Sequence, residues 1–141
     1  MAGQEYAVGL RTSQIDTPAL LIHLAAMERN LNKMASFFKT VDAKLRPHVK
    51  LYKATPVLAH MQMQAGAIGL TCARLSEAEI LAASGIRDIL IANQVVGTSK
   101  IRRLINLAAY SDVIVAVDSY ENVRELSQAA QAKGVELGVL V

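Results

Sequence analysis

Within Leu45-Arg46-Pro47-His48-Val49-Lys50, nitrogen-bearing side chains recur at every second position. In an extended strand, alternate residues point to opposite faces. Arg46, His48 and Lys50 then share one face, with Tyr52 just beyond, while Leu45, Val49 and Leu51 share the other. An amine, an imidazole and a guanidinium on one surface form a set suited to binding an anion or activating a nucleophile. A lysine amine is protonated at neutral pH and attacks carbonyl carbon only where desolvation or neighbouring cations favour its neutral form. Arg46 and His48 are the cations nearest to Lys50 in the chain. Lys50 falls at the strand's end, where parallel α/β folds place their chemistry. The pattern is equally that of a solvated edge strand carrying basic residues, and Pro47 fits that reading because proline favours strand edges and starts.

The elements that must position this strand follow from periodicity. Asp16-Thr17-Pro18 marks a turn, and Ala19 to Leu24 reads as a short buried strand interrupted by His23, a residue more often satisfied locally than used as a ligand. Met27, Leu31, Met34 and Phe38 recur at helical spacing, which predicts a helix over about 25–40. Thr55-Pro56 opens the next helix and Gly66 ends it. Three apolar runs, 67–72, 88–92 and 113–117, read as strands, and 135–141 as a further one. Between them lie helices with predicted caps: a capping box at Ser76 and Glu79, Thr98 or Ser99, and a second box at Asp118 and Glu121. Strand and helix alternate with short connections, and the apolar runs predict strands buried on both faces of a parallel sheet with right-handed crossovers. Gly-x-Gly-x-x-Gly is absent after the first strand, so a dinucleotide fold has no motif support. The expected fold class is α/β, a partial (β/α)8 TIM-type barrel. About four and a half units are legible where a whole barrel takes about 250 residues, so the sequence reads as the first half of one. Residues 1–24 form an N-terminal segment with one short strand, and 25–141 the incomplete barrel.

Composition narrows the function classes. The chain of 141 residues is 52% hydrophobic with a net charge of only +3, which excludes a disordered tail. Its basic residues are scattered, so no nucleic-acid footprint is expected. Cys72 is the single cysteine, which rules out an internal disulfide and a Cys-rich zinc site; it reads as a small buried hydrophobe. His23, His48 and His60 fall in three different predicted elements, and no metal site is expected from them. No apolar run approaches the ~18 residues of a membrane helix, and Met1-Ala2-Gly3-Gln4-Glu5 lacks a secretion-signal pattern. A cytoplasmic protein with no membrane or nucleic-acid partner is expected.

Several stretches together resemble the fold-type III pyridoxal-phosphate enzymes, whose barrel is that of the alanine racemase N-terminal domain. They are Asp16-Thr17-Pro18-Ala19-Leu20, Glu28-Arg29-Asn30-Leu31, Arg46-Pro47-His48-Val49-Lys50, Leu75-Ser76-Glu77-Ala78-Glu79, Gly85-Ile86-Arg87-Asp88-Ile89-Leu90 and Asn93-Gln94-Val95-Val96-Gly97. The group resembled contains D-threonine aldolase, D-serine dehydratase and 3-hydroxy-D-aspartate aldolase. The resemblance implies that Lys50 holds pyridoxal 5'-phosphate covalently, with His48 and Arg46 as further cofactor-binding residues. It implies lyase or aldolase chemistry on a small D-amino acid substrate, with Lys50 as the catalytic residue. The family string often continues with a histidine two places after the lysine; here that place is Tyr52. The family's divalent-metal ligands belong to a C-terminal domain, and its phosphate-binding loops follow later barrel strands. The chain is therefore expected to bind the cofactor weakly and to be inactive alone.

Two other classes remain open: a non-catalytic pyridoxal-phosphate carrier of the homeostasis type, and an inactive truncated remnant. An open parallel sheet leaves unpaired edges, so a homodimer or looser self-association is also expected.

Overall fold

The computed structural model describes residues 8–141. The expectations for Met1 to Glu5, and part of that for residues 1–14, fall outside them. Its elements are helix α1 (Leu24–Phe38), α2 (Pro56–Gln64), strand β1 (Leu70–Cys72), α3 (Leu75–Ala83), β2 (Asp88–Ile91), α4 (Thr98–Ala108), β3 (Asp112–Ala116), α5 (Tyr120–Lys133) and β4 (Gly138–Leu140), with 3-10 turns at Thr12–Gln14 and Lys50–Tyr52. The four strands form one parallel sheet in chain order. Leu70 stands beside Ile89, Ile89 beside Val113, and Ile114 beside Gly138.

The apolar runs divide by parity. Leu70, Cys72, Ile89, Ile91, Val113 and Val115 are fully or almost fully buried and form the core with Leu81 of α3, Leu104, Ile105 and Leu107 of α4, and Leu126 of α5. On the opposite face Leu90, Ile114 and Ala116 are only half-buried. The expectation of burial on both faces is thus corrected: helices cover one face, and the half-covered one is the face a closed barrel turns inward.

The predicted strand over Ala19–Leu24 is not formed. Leu20, Leu21, Ile22 and Leu24 are exposed, and α1 begins at Leu24. An apolar run becomes a strand only where a neighbour can take its backbone hydrogen bonds, and no ladder among the described residues includes this segment. His23 instead caps α1, its Nδ1 accepting from the Ala26 N–H at 3.2 Å. In α1 the half-buried stripe is Met27, Leu31, Ala35 and Phe38, with Met34 on the exposed side.

The helix caps shift from their expected places. At α3 the Glu77 carboxylate accepts from the N–H groups of Ala73 (2.9 Å) and Arg74 (3.2 Å), so the helix starts ahead of Ser76 and leaves Glu79 to pair with Arg103 of α4. Gly97, not Thr98 or Ser99, caps α4. At α5 the cap is Ser119, whose Oγ accepts from the Asn122 N–H at 3.2 Å. Asp118 is drawn away by Gln94, whose Nε2 donates to its carboxylate at 2.8 Å.

Candidate active site around Lys50

The segment carrying Lys50 lies along the free side of β1. The Leu45 carbonyl accepts from the Ile68 N–H (3.0 Å), the Pro47 carbonyl from the Thr71 N–H (2.8 Å), and the Thr71 carbonyl from the Val49 N–H (2.8 Å). This is the alternation of a parallel ladder, although His48 beside Thr71 is its only bridge pair outside the named strands. Since the carbonyl of residue 47 faces β1, its nitrogen faces β1 as well, and a proline there cannot donate. One rung is lost, and the strand expected over about Lys44–Leu51 is reduced to the single bridge at His48. Val49 is fully buried on the helix-covered side, while His48 and Lys50 are exposed.

After Val49 the ladder stops. Lys50–Tyr52 forms a 3-10 turn, and Lys53 and Ala54 follow at φ +55° and +57°. The Ala54 N–H returns to the Val49 carbonyl (3.3 Å), and Thr55 Oγ1 donates to the Tyr52 carbonyl (2.7 Å). Two consecutive left-handed non-glycine residues are costly, and here they reverse the chain just beyond Lys50. The turn breaks the strand's alternation. Tyr52, expected on the Lys50 face, is instead buried, its hydroxyl donating to Gln62 Oε1 of α2. Leu51, expected on the buried face, is exposed. Burial pushes the Tyr52 phenol up to about 12. The residue standing at the family's histidine position is therefore committed to the packing of α2.

Lys50 and His48 are brought together, and Arg46 is not. The Lys50 backbone N–H donates to His48 Nδ1 at 3.0 Å. That bond turns the imidazole toward the strand end and leaves Nε2 to carry the ring proton in the neutral form. The Lys50 amine has no ion pair among the described residues. Arg46 lies four residues earlier, about 13 Å along an extended strand. Its guanidinium grips Asp88 at the start of β2, with Nη1–Oδ1 at 2.5 Å and Nη2–Oδ2 at 3.1 Å.

At the C-terminal ends of β1 and β2 lies a cavity of about 290 Å³ whose polar lining includes Arg74, Ser76, Asn93, Gln94, Lys100 and Arg103. Asn122 of α5 is buried and donates from Nδ2 to the Val95 carbonyl at 3.0 Å, which fixes the loop carrying Asn93 and Gln94. Neither Asn122 nor the Gln94–Asp118 pair has a signature in local sequence, because their partners lie more than twenty residues away. Cys72, the last residue of β1, is fully buried, as its sequence context predicts. Burial, then the nearby Glu77 charge, push its thiol up to about 12, so it is no nucleophile. His60 is occupied with the Ser84 carbonyl, 2.9 Å from its Nε2.

The profile of the alanine racemase N-terminal domain matches residues 22–141. The chain belongs to that family. Its parallel sheet and helices are part of the family's TIM-type barrel domain. The chain is 40% identical over 134 residues to a 3-hydroxy-D-aspartate aldolase of Paracoccus denitrificans, covering 94% of this chain and 35% of that protein. It is 40% identical over 129 residues to a D-threonine aldolase of Arthrobacter, covering 92% of this chain and 34% of the relative. Among solved structures, the D-threonine aldolase of Filomicrobium marinum superposes with a TM-score of 0.84 at 44% identity, over 89% of this chain and 34% of that one. The chain thus spans about a third of the length of the relatives it matches. No helix among the described residues is long and apolar enough to cross a membrane.

Proposed function

We propose that Lys50 is the point at which this chain holds pyridoxal 5'-phosphate, within a lyase or aldolase acting on D-amino acids that carry a β-hydroxyl. The observation that carries the reading is Lys50 itself: exposed, without an ion pair among the described residues, and tied through its backbone N–H to His48 where the chain leaves β1 on the C-terminal side of a parallel sheet. Matched relatives named as D-threonine aldolase, 3-hydroxy-D-aspartate aldolase and D-threo-3-hydroxyaspartate dehydratase support the substrate class.

The residues present fit covalent attachment of the cofactor. Lys50 is exposed, and the His48 imidazole accepts from the Lys50 backbone N–H through Nδ1, which leaves Nε2 outside that bond. When bound, the cofactor's pyridine ring draws electrons from the substrate carbon next to nitrogen and so weakens the bonds at that carbon. With the cofactor bound, the Lys50 amine would be the group that moves a proton at that carbon. His48 would act through Nε2, the ring nitrogen that the backbone bond leaves open. Tyr52 is turned away and takes no part in proton transfer. Arg46 contributes from a distance, through the strand rather than by contact.

Reduction with borohydride after incubation with pyridoxal 5'-phosphate tests the reading. Peptide mapping should find the pyridoxyl group on Lys50. A group found instead on Lys44 or Lys53 would overturn the assignment.

A further inference from the structure

We infer that the Arg46–Asp88 pair, laid across Gly69, is a positioning device that holds the Lys50 segment in register against the sheet. The inference rests on Lys50 being the attachment residue.

The registers place Gly69 between the two charged residues. His48 stands beside Thr71, and Leu70 beside Ile89. One and two places back, Arg46, Gly69 and Asp88 fall in a row on three adjacent chain segments. Neighbouring strands lie about 4.8 Å apart, so a contact from the first to the third spans about 10 Å. Only a long side chain can bridge that gap, and only if the middle residue leaves the surface bare. Gly69 does so. A Cβ built there would collide with Arg46 Nη1 and lie 2.7 Å from Asp88 Cγ, and it would also stand 2.6 Å from the Asp88 carbonyl oxygen. The glycine is therefore required both for the passage of the guanidinium and for the close approach of β1 and β2.

The segment needs such a clamp. It sits on the free side of β1, has lost one ladder bond to Pro47, and ends in a 3-10 turn after Val49. Arg46 takes part in two contacts beyond the ladder, one through its backbone and one through its side chain. Its own carbonyl accepts from Thr71 Oγ1 at 3.3 Å, and its forked guanidinium takes both oxygens of Asp88. With Arg46 19% and Asp88 36% exposed on their side chains, the pair is only partly open to solvent, and the fork fixes direction as well as distance. Since β1 and β2 are themselves tied into the core, the pair links the irregular segment to the rigid sheet and sets where Lys50 emerges.

The test uses the 141-residue chain with Arg46→Met, Asp88→Asn, both together, and Arg46→Lys. Amide exchange is followed at Val49 and Thr71, whose N–H groups tie the segment to β1, and at Ile114 and Val115 of β3 as a control. Each single variant should speed exchange at Val49 and Thr71 by about tenfold or more while β3 is unchanged. The double variant should add little to either single one, and Arg46→Lys should restore part of the protection. In parallel, pyridoxal 5'-phosphate and borohydride should label Lys50 less selectively against Lys44 and Lys53 in the Met and Asn variants. Unchanged exchange at Val49 and Thr71, an equal rise across β3, or unaltered lysine selectivity despite faster exchange would each overturn the inference. If Lys50 is not labelled in the parent chain, the functional reading falls and with it the claim about Lys50; the exchange data would still show separately whether the pair clamps the segment.

Discussion

Cys72 and Tyr52 are the two acids that burial holds in their neutral forms, and both make predictions. The Cys72 thiol is fully buried and its pKa is pushed up to about 12. Alkylation needs a thiolate and access, and the fold denies both. At pH 8, iodoacetamide should leave Cys72 unmodified in the native chain, and labelling should track the urea unfolding curve. Alkaline stability follows from the same physics. In the unfolded chain the thiol and the phenol titrate near 9.0 and 10.0, whereas in the fold both hold their protons to about 12. Between these values the native state binds more protons than the unfolded one, so stability falls as pH rises. The contribution is complete below about pH 9 and is lost on the way to pH 12. Urea midpoints measured from pH 8 to 11 should decline. Tyr52→Phe should flatten the upper part of that decline while lowering stability at pH 8 by about 1 kcal/mol, because Gln62 Oε1 loses its donor.

Among the elements, the turn from Lys50 to Ala54 bears most directly on the site. It converts a strand into a helix entry by way of two left-handed residues, neither of them glycine. Lys53 is exposed, and neither of the two ion pairs among the described residues includes it, so its side chain gives little in return for the strain. Lys53→Gly should therefore stabilise the chain by about 0.5–1 kcal/mol, since relief of the positive φ exceeds the added chain entropy. Lys53→Val should destabilise it. Equilibrium urea unfolding of the three proteins checks both directions. The covalent labelling of Lys50 should persist in Lys53→Gly, because the turn keeps its path.

In the whole molecule, the sheet is covered on one face and open at β4. Among the described residues that strand pairs only with β3, and Val139 and Leu140 are each about half exposed on it, at 50% and 51%. An uncharged strand edge is a template for a further strand. The 141-residue chain should accordingly associate as its concentration rises, and Val139→Lys should weaken that association by placing a charge on the edge. Light scattering against concentration, with both proteins at equal ionic strength, measures the effect. Equal association of the two would show that the contact lies elsewhere.

Local chemistry in the sequence was enough for the sheet and its helices. Apolar runs of four or five residues that alternate with helical patterns and are bounded by glycine or a turn favour buried strands, so the runs around Leu70, Ile89 and Val113 were legible, as were the helix stops at Gly66, Gly85 and Gly134. In the string ending at Lys50 the exposure of His48 and the burial of Val49 were legible from alternation, but the extended chain ends at Val49 and the alternation stops there. Tertiary structure decided what depends on distant partners. The register of three parallel segments brings Arg46 to Asp88, 42 positions away, and makes Gly69 the gap between them. A half-buried Gln62 holds the Tyr52 hydroxyl inward through the turn that Lys53 and Ala54 make, a path no propensity predicts. The run from Ala19 to Leu24 shows the limit from the other side: its composition suits a strand, but a strand is a relation between two chain segments, and composition describes only one.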